Sequence, residues 1–255
     1  MARHAGASGP SPSDRPANSG SRNPLARLWA SFLAKPWALI LLVVSIIFLA
    51  LLEDVLEGDM MRLDVMAHRI VVDGMRADWL TPIMETISEL ATPVVLVAML
   101  LVVAAFAPGR RPGRCAALNL VLVTLLNLLL KQVVQRPRPD GFRLVAETGY
   151  SFPSGHSMVA MGFYGLLLWM VWHYERDSAK RWPCCVGFAL LIVAVGFSRI
   201  YLGVHYASDV LAGFCVSIAW LVFYTRVVAP LLMPEDAEPP SAEGPAKGHS
   251  DERGA

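Results

Sequence analysis

The chain has 255 residues, 55% of them hydrophobic and 17% charged, with a formal net charge of +1. Soluble domains carry about a quarter charged residues, so this composition favours an integral-membrane domain over a soluble one. No basic cluster with interleaved aromatics is present, which leaves nucleic acid unsupported as a partner.

Residues 1–24 are rich in Ser, Pro, Gly, Ala and Arg and read as a disordered cytoplasmic tail. Residues 231–255 read the same way, leaving a membrane domain at 25–230. Hydropathy predicts six spans within it: Trp37–Leu52, Thr81–Ala107 with Pro93 inside, Cys115–Val133, Ser154–Trp172, Pro183–Ile200 and Ala207–Val228. Each is near the roughly 20 residues that cross the hydrocarbon core. The first is short, and Leu28–Leu33 extends it; Glu53 and Asp54 follow it without a small-residue cleavage site, unlike a signal peptide. Between the first two spans, Met60, Leu63, Ala67, Ile70 and Val71 recur at helical spacing, with Asp64, His68 and Arg69 elsewhere on the wheel. That pattern fits an amphipathic helix at the outer interface, or an ordinary packing helix. The fold class expected is therefore all-α, a six-span bundle with this additional helix. Cys115, Cys184, Cys185 and Cys215 lack zinc-ligand spacing and read as small packing residues.

Lysine and arginine set the orientation. Arg3, Arg15, Arg22, Arg27 and Lys35 precede the first span, Arg110, Arg111 and Arg114 lie between the second and third, and Arg176, Lys180 and Arg181 between the fourth and fifth. In a six-span chain these segments share one side, which is cytoplasmic, as are both termini. Three polar clusters then meet at the outer side: Lys131 with Arg138 and Pro139; Pro153-Ser154-Gly155-His156; and Ser198-Arg199, His205 and Asp209.

The clusters hold the groups that phosphoryl transfer needs. Four residues apart on one helix, Asp209 can accept the proton of one His205 nitrogen, leaving the other free as a nucleophile. Ser154 is a candidate N-cap, and the helix start behind it offers N–H groups to an anion, with Gly155 permitting close approach. His156, just inside that helix, is placed to protonate a leaving oxygen. Lys131, Arg138 and Arg199 supply fixed positive charge for the equatorial oxygens. Taken singly, each cluster also has an ordinary reading: an aspartate in a helix's first turn, a turn into a helix, or cations snorkelling at an interface.

Together, in this order and on one face, the clusters resemble the tripartite signature of the type-2 phosphatidic acid phosphatase superfamily, over roughly Leu52–Val228. The resemblance implies a six-helix membrane phosphatase that uses no metal and no cofactor. It implies His205 as the nucleophile that becomes phosphohistidine, Asp209 as its orienting partner and His156 as general acid. Lys131, Arg138, Ser154, Gly155 and Arg199 would hold the phosphate. The stretch Glu147-Thr148-Gly149-Tyr150-Ser151-Phe152 also looks like bacterial members acting on phosphatidylglycerophosphate, undecaprenyl diphosphate or phosphatidate. The expected partners are a phosphorylated membrane lipid and the bilayer of an inner membrane. A phosphotransferase would use the same residues. A six-span transporter is the other rival, though the spans carry little charge at mid-depth.

Several polar residues fall outside the signature. Glu85 and Glu89 either pair with an arginine near the site, line its mouth, or are solvated at the interface. Arg136 and Arg143 read as snorkelling cations, and His68 as an interfacial histidine within reach of a headgroup. Asn119 and Asn127 read as inter-helix hydrogen-bonding residues.

Overall fold

The computed structural model describes residues 35–58, 61–107 and 109–233. The tail sequences at 1–24 and 234–255, the extension Leu28–Leu33 and Met60 lie outside the described residues. By contacts the chain forms two units, Met1–Leu39 and Ile40–Ala255. The packing below belongs to the second.

Among the described residues every regular element is helical. In chain order these are α1 Pro36–Glu57, α2 Arg62–Ala67 running into a π-helical turn His68–Asp73, α3 Thr81–Glu89 and α4 Pro93–Phe106. Then come α5 Arg111–Val134, α6 Gly155–Tyr174, α7 Ser178–Tyr201 and α8 Ala207–Phe223. A π-helical turn Tyr224–Val228 and the short α9 Ala229–Leu232 close the described chain. Five helices are long and apolar enough to cross a membrane, or six if the α3–α4 pair counts as one span. The protein is therefore a multi-pass membrane protein.

The second expected span is not continuous. The axis bends by 54° between α3 and α4. Pro93 has no N–H to give to the preceding turn, and it drives Thr92 into extended backbone (φ −77°, ψ 153°). The helix restarts with Pro93 in its first turn, where the missing donor costs nothing. Tyr164 donates to the Leu90 carbonyl at 2.6 Å, satisfying an acceptor that the break exposes.

α6 lies at the centre of the core, with Met158, Phe163 and Leu166 fully buried. Lipid is as apolar as leucine, so close packing and polar bonds supply cohesion between spans, about 0.6–2 kcal/mol per bond. Asn119 on α5 donates to the Gly162 carbonyl at 2.8 Å and accepts from Trp220 on α8 at 2.9 Å. Asn127 donates to Met158 Sδ on α6 at 3.1 Å and to the Pro153 carbonyl before it at 3.3 Å, and Tyr224 to the Cys115 carbonyl at 2.7 Å. Both asparagines thus make the inter-helix bonds expected of them. Cys115, Cys185 and Cys215 are buried free thiols, while Cys184 is exposed.

The α2 segment buries one polar residue of its helical wheel. Leu63 and Ile70 are exposed, Val71 is buried, and Asp64, placed off the apolar face, is only 3% exposed. A buried carboxylate is costly unless it is paired, and Asp64 finds its partners at the ends of other helices.

Candidate functional site

The end of α5, the starts of α6 and α8, the end of α7 and the 135–154 loop converge at one rim. The Ser154 N–H donates to the Asp209 carbonyl at 3.0 Å, tying α6 to α8. The Leu144 N–H donates to the Leu202 carbonyl at 2.9 Å, tying the loop to the end of α7. Gly203, at φ +72°, makes the turn between α7 and α8 that ends on His205; a side chain there would meet the Phe142 carbonyl at 2.7 Å.

His205 is 3% exposed. Its Nδ1 lies 3.4 Å from Asp209 Oδ2 and its Nε2 3.2 Å from Arg138 Nη1. A guanidinium only donates, so Nε2 accepts and the ring proton sits on Nδ1, towards the carboxylate. Burial, then the charges of Arg138, Arg199 and Lys131, push the imidazole well below its usual value, so the ring is neutral near pH 7. Asp209 Oδ2 also accepts from the Tyr206 N–H at 2.9 Å, which anchors the carboxylate in the first turn of α8.

The cations surround this pair. Arg138 reaches it from the loop, held by the carbonyls of Thr148, Gly149 and Val204, each at 3.1 Å. Pro137 and Pro139 keep its backbone extended. Lys131, in the last turn of α5, donates to the Tyr150 carbonyl. A Cβ on Gly155 would stand 3.0 Å from Asn127 Oδ1 and 3.7 Å from the Lys131 Cε, so the start of α6 presents bare backbone beside this lysine. Ser154 caps α6, accepting from the Ser157 N–H at 3.5 Å, and its hydroxyl also accepts from Ser157 Oγ at 2.9 Å. Arg199 is 2% exposed and donates to Ser88 on α3. His156 interacts electrostatically with Arg199, Glu147 and His205. All eight residues singled out by sequence are thereby gathered at one rim.

Four residues were not recognised in sequence as parts of the rim. Glu147 pairs with Arg199, and at 3.5 Å with Arg138. Burial opposes its ionisation, but the charge and hydrogen bond of Arg199 outweigh it and hold the carboxyl below the usual range. Ser88 supplies an uncharged acceptor to Arg199. Arg136, expected to snorkel, is instead buried between two carboxylates: Nη1 donates to Asp209 Oδ1 at 2.6 Å and Nη2 to Asp64 Oδ2 at 3.0 Å. Its guanidinium also covers the Tyr206 ring at 4.1 Å. Asp64 accepts in addition from the Ser208 N–H at 2.8 Å and its hydroxyl at 2.7 Å. The one sequence signal for Arg136 was its spacing two residues before Arg138.

Other polar residues fall outside the rim. Among the described residues Glu85 and Glu89 have no arginine partner within ion-pair distance. Arg143 pairs with Asp140 at 2.6 Å on the exposed loop. His68 packs edge-on against Phe142 and lies 3.5 Å from Asp73. A cavity of about 130 Å³ is lined by His205 together with His68, Phe142 and Tyr206 among others. Among the described residues no three His, Cys, Asp or Glu side chains are grouped to hold a metal ion.

Membrane-spanning helices that close a cationic rim around a histidine–aspartate pair mark an integral-membrane enzyme for anionic, phosphate-like groups. Residues 112–232 match the PAP2 superfamily. The chain is 35% identical over 153 residues to phosphatidylglycerophosphatase B of Bacillus subtilis (strain 168), covering 58% of this chain and 74% of that protein. It is 35% identical over 119 residues to dolichyldiphosphatase 1 of Homo sapiens, spanning 42% of this chain and 50% of that relative. The crystal structure of a transmembrane PAP2 type phosphatidylglycerolphosphate phosphatase from Bacillus subtilis superposes with a TM-score of 0.64 at 29% identity, over 73% of this chain and 96% of that one. The Aquifex aeolicus LpxE structure shares the fold, with a TM-score of 0.54 at 22% identity over 65% of this chain and 96% of that one. The chain belongs to the PAP2 superfamily of membrane lipid phosphatases and is a hydrolase.

Proposed function

We propose that the protein hydrolyses a phosphate or diphosphate ester of a membrane lipid at the extracytoplasmic face of an inner membrane, with both termini cytoplasmic, through a phosphohistidine on His205. The observation that carries this is the His205 ring: Nδ1–H faces Asp209, and the Nε2 lone pair faces Arg138, a phosphate-binding candidate. A phosphoryl group held by Lys131, Arg138, Arg199 and the N–H groups behind Ser154 and Gly155 would present phosphorus to Nε2. The Nε2 lone pair forms the P–N bond as the P–O bond to the lipid breaks. His156 gives its proton to the departing oxygen, and Asp209 stabilises the imidazolium. Water then loses a proton to His156 and attacks phosphorus; the P–N bond breaks, releasing inorganic phosphate and neutral His205. No step uses a metal ion.

The names of the relatives point to phosphatidylglycerophosphate and polyprenyl diphosphates as first substrates to try. The distribution of lysine and arginine in the loops supports the extracytoplasmic face.

The test is rapid quench with a ³²P-labelled lipid phosphate in detergent. Wild type is expected to accumulate acid-labile, base-stable label on His205. His205→Ala is expected to carry no label and to lose turnover by about a thousandfold or more. Wild-type rates in that variant, or activity lost in EDTA and restored by magnesium, would contradict the mechanism.

A further inference from the structure

Beyond the candidate phosphate-binding cations lies a second, largely buried chain of charge. The side chains of Asp64 and Asp209 are 0% exposed and that of Arg136 only 10%. One guanidinium is shared by the two carboxylates, and Ser208 closes the group, accepting from Arg136 at 2.8 Å and donating to Asp64. Asp64 comes from α2, which carries none of the three signature clusters.

The arrangement answers an electrostatic difficulty. A carboxylate bound by arginine at 2.6 Å is largely neutralised as seen from a third group. His205 gains positive charge as its Nε2 bonds to phosphorus, and a neutralised Asp209 would do little to stabilise it. Arg136 and Asp209 alone sum to zero. Asp64 adds one negative charge, so the trio carries −1.

We propose that Asp64 is a positioning residue of the phosphoryl-transfer site: by sharing Arg136 it leaves Asp209 a net negative partner for His205. The proposal rests on His205 being the nucleophile. It makes the seating of α2 a condition for full activity, because docking this helix delivers the balancing charge.

Charge count separates this role from simple docking of α2. Asp64→Asn takes the trio to 0, Arg136→Gln takes it to −2, and the double variant restores −1. More negative charge beside His205 raises its pKa and less lowers it, so the limbs must move in opposite directions. The other charged or titratable groups facing His205 are unchanged throughout: Arg138 and Glu147 on the loop, Lys131 on α5, His156 on α6, Arg199 on α7, His68 in the π-helical turn after α2 and Tyr206 before α8.

The experiment measures kcat, KM and the pH dependence of kcat/KM for the full chain in detergent with a short-chain phosphatidate. Asp64→Asn is expected to lower kcat roughly tenfold to a hundredfold, the effect of one unit charge near the reacting group at an effective dielectric of about 20, with KM within about threefold. Its acid limb should move to lower pH, that of Arg136→Gln to higher pH, and the double variant should recover about tenfold over Asp64→Asn with its limb returned towards wild type. Asp64→Glu, which keeps the charge, should retain most of the wild-type kcat.

A kcat for Asp64→Asn within twofold of wild type would overturn the proposal. So would a double variant as slow as Asp64→Asn, or limb shifts of the same sign in the two single variants. Should Asp64→Asn fail to fold, Arg136→Gln decides: an acid limb that does not rise overturns the proposal. An active His205→Ala in the same assay would instead defeat the nucleophile assignment. An inactive His205→Ala beside a wild-type-like Asp64→Asn would defeat the Asp64 role alone.

Discussion

Replacing Asp209 by asparagine tests the site at its most constrained point. The carboxylate accepts from three directions: Arg136 Nη1 on Oδ1 at 2.6 Å, and the Tyr206 N–H at 2.9 Å and His205 Nδ1 at 3.4 Å on Oδ2. Asparagine has one acceptor oxygen and one donor NH2. With the oxygen towards His205 and Tyr206, the NH2 meets the Arg136 N–H, donor against donor. With the amide flipped, the NH2 meets the Tyr206 N–H and forces Nδ1 to accept, which moves the ring proton to Nε2 and removes the nucleophilic lone pair. Either orientation forfeits a charge-assisted bond of about 1.5–3 kcal/mol and the carboxylate's stabilisation of the imidazolium. A combined loss of about 4 kcal/mol in the transition state corresponds to roughly a thousandfold in kcat. The assay is single-turnover release of labelled phosphate, with KM measured in parallel and expected to change little. A kcat within tenfold of wild type would refute the reasoning, because the tautomer would then not depend on Asp209.

Further predictions concern the rest of the rim. Glu147→Gln removes a carboxylate that competes with phosphate oxygens for Arg199 and Arg138, so vanadate should inhibit about fivefold to thirtyfold more tightly; an unchanged or weaker inhibition constant would count against that competition. Because His205 is held well below its ordinary value, the free enzyme keeps the neutral ring on acidification, and the His205 acid limb of kcat/KM should lie below pH 6.5; a limb above 7 assigned to His205 by its variants would contradict the burial argument. Gly155→Ala places a methyl group 3.0 Å from Asn127 Oδ1 and 3.7 Å from Lys131 Cε, and should weaken vanadate binding and kcat by roughly tenfold or more while the protein still purifies as a folded species; wild-type kinetics would show that the start of α6 does not need bare backbone there.

Much of the site was legible because its chemistry is written in short, local spacings. His205 and Asp209 are four residues apart, a spacing that suggested one helix; His205 in fact stands in the turn before the Tyr206 N-cap, and the pair meets across the start of α8. Ser154 caps α6 as its type and position suggested. Asn119 and Asn127 had to find partners across helices because a bilayer offers none. The break between α3 and α4 was misjudged because average hydropathy is blind to one missing N–H. Arg136 was misread because an arginine near a span end usually snorkels, and nothing local announces that two carboxylates wait for it. Glu147 stood within a recognised stretch of sequence, but its pairing with Arg199 joins residues 52 positions apart.

By itself the sequence determined that this chain is helical and membrane-embedded and which residues are candidates for phosphate chemistry, because hydropathy and helical periodicity act over a few turns. The tertiary structure alone decided the electrostatic state of the site. Asp64 comes 144 residues before Ser208, and Arg138 lies 67 before His205. Whether such charges cancel, compete or reinforce depends on which helix ends meet in a low-dielectric rim, where a shift of a few ångströms changes the interaction by several kcal/mol.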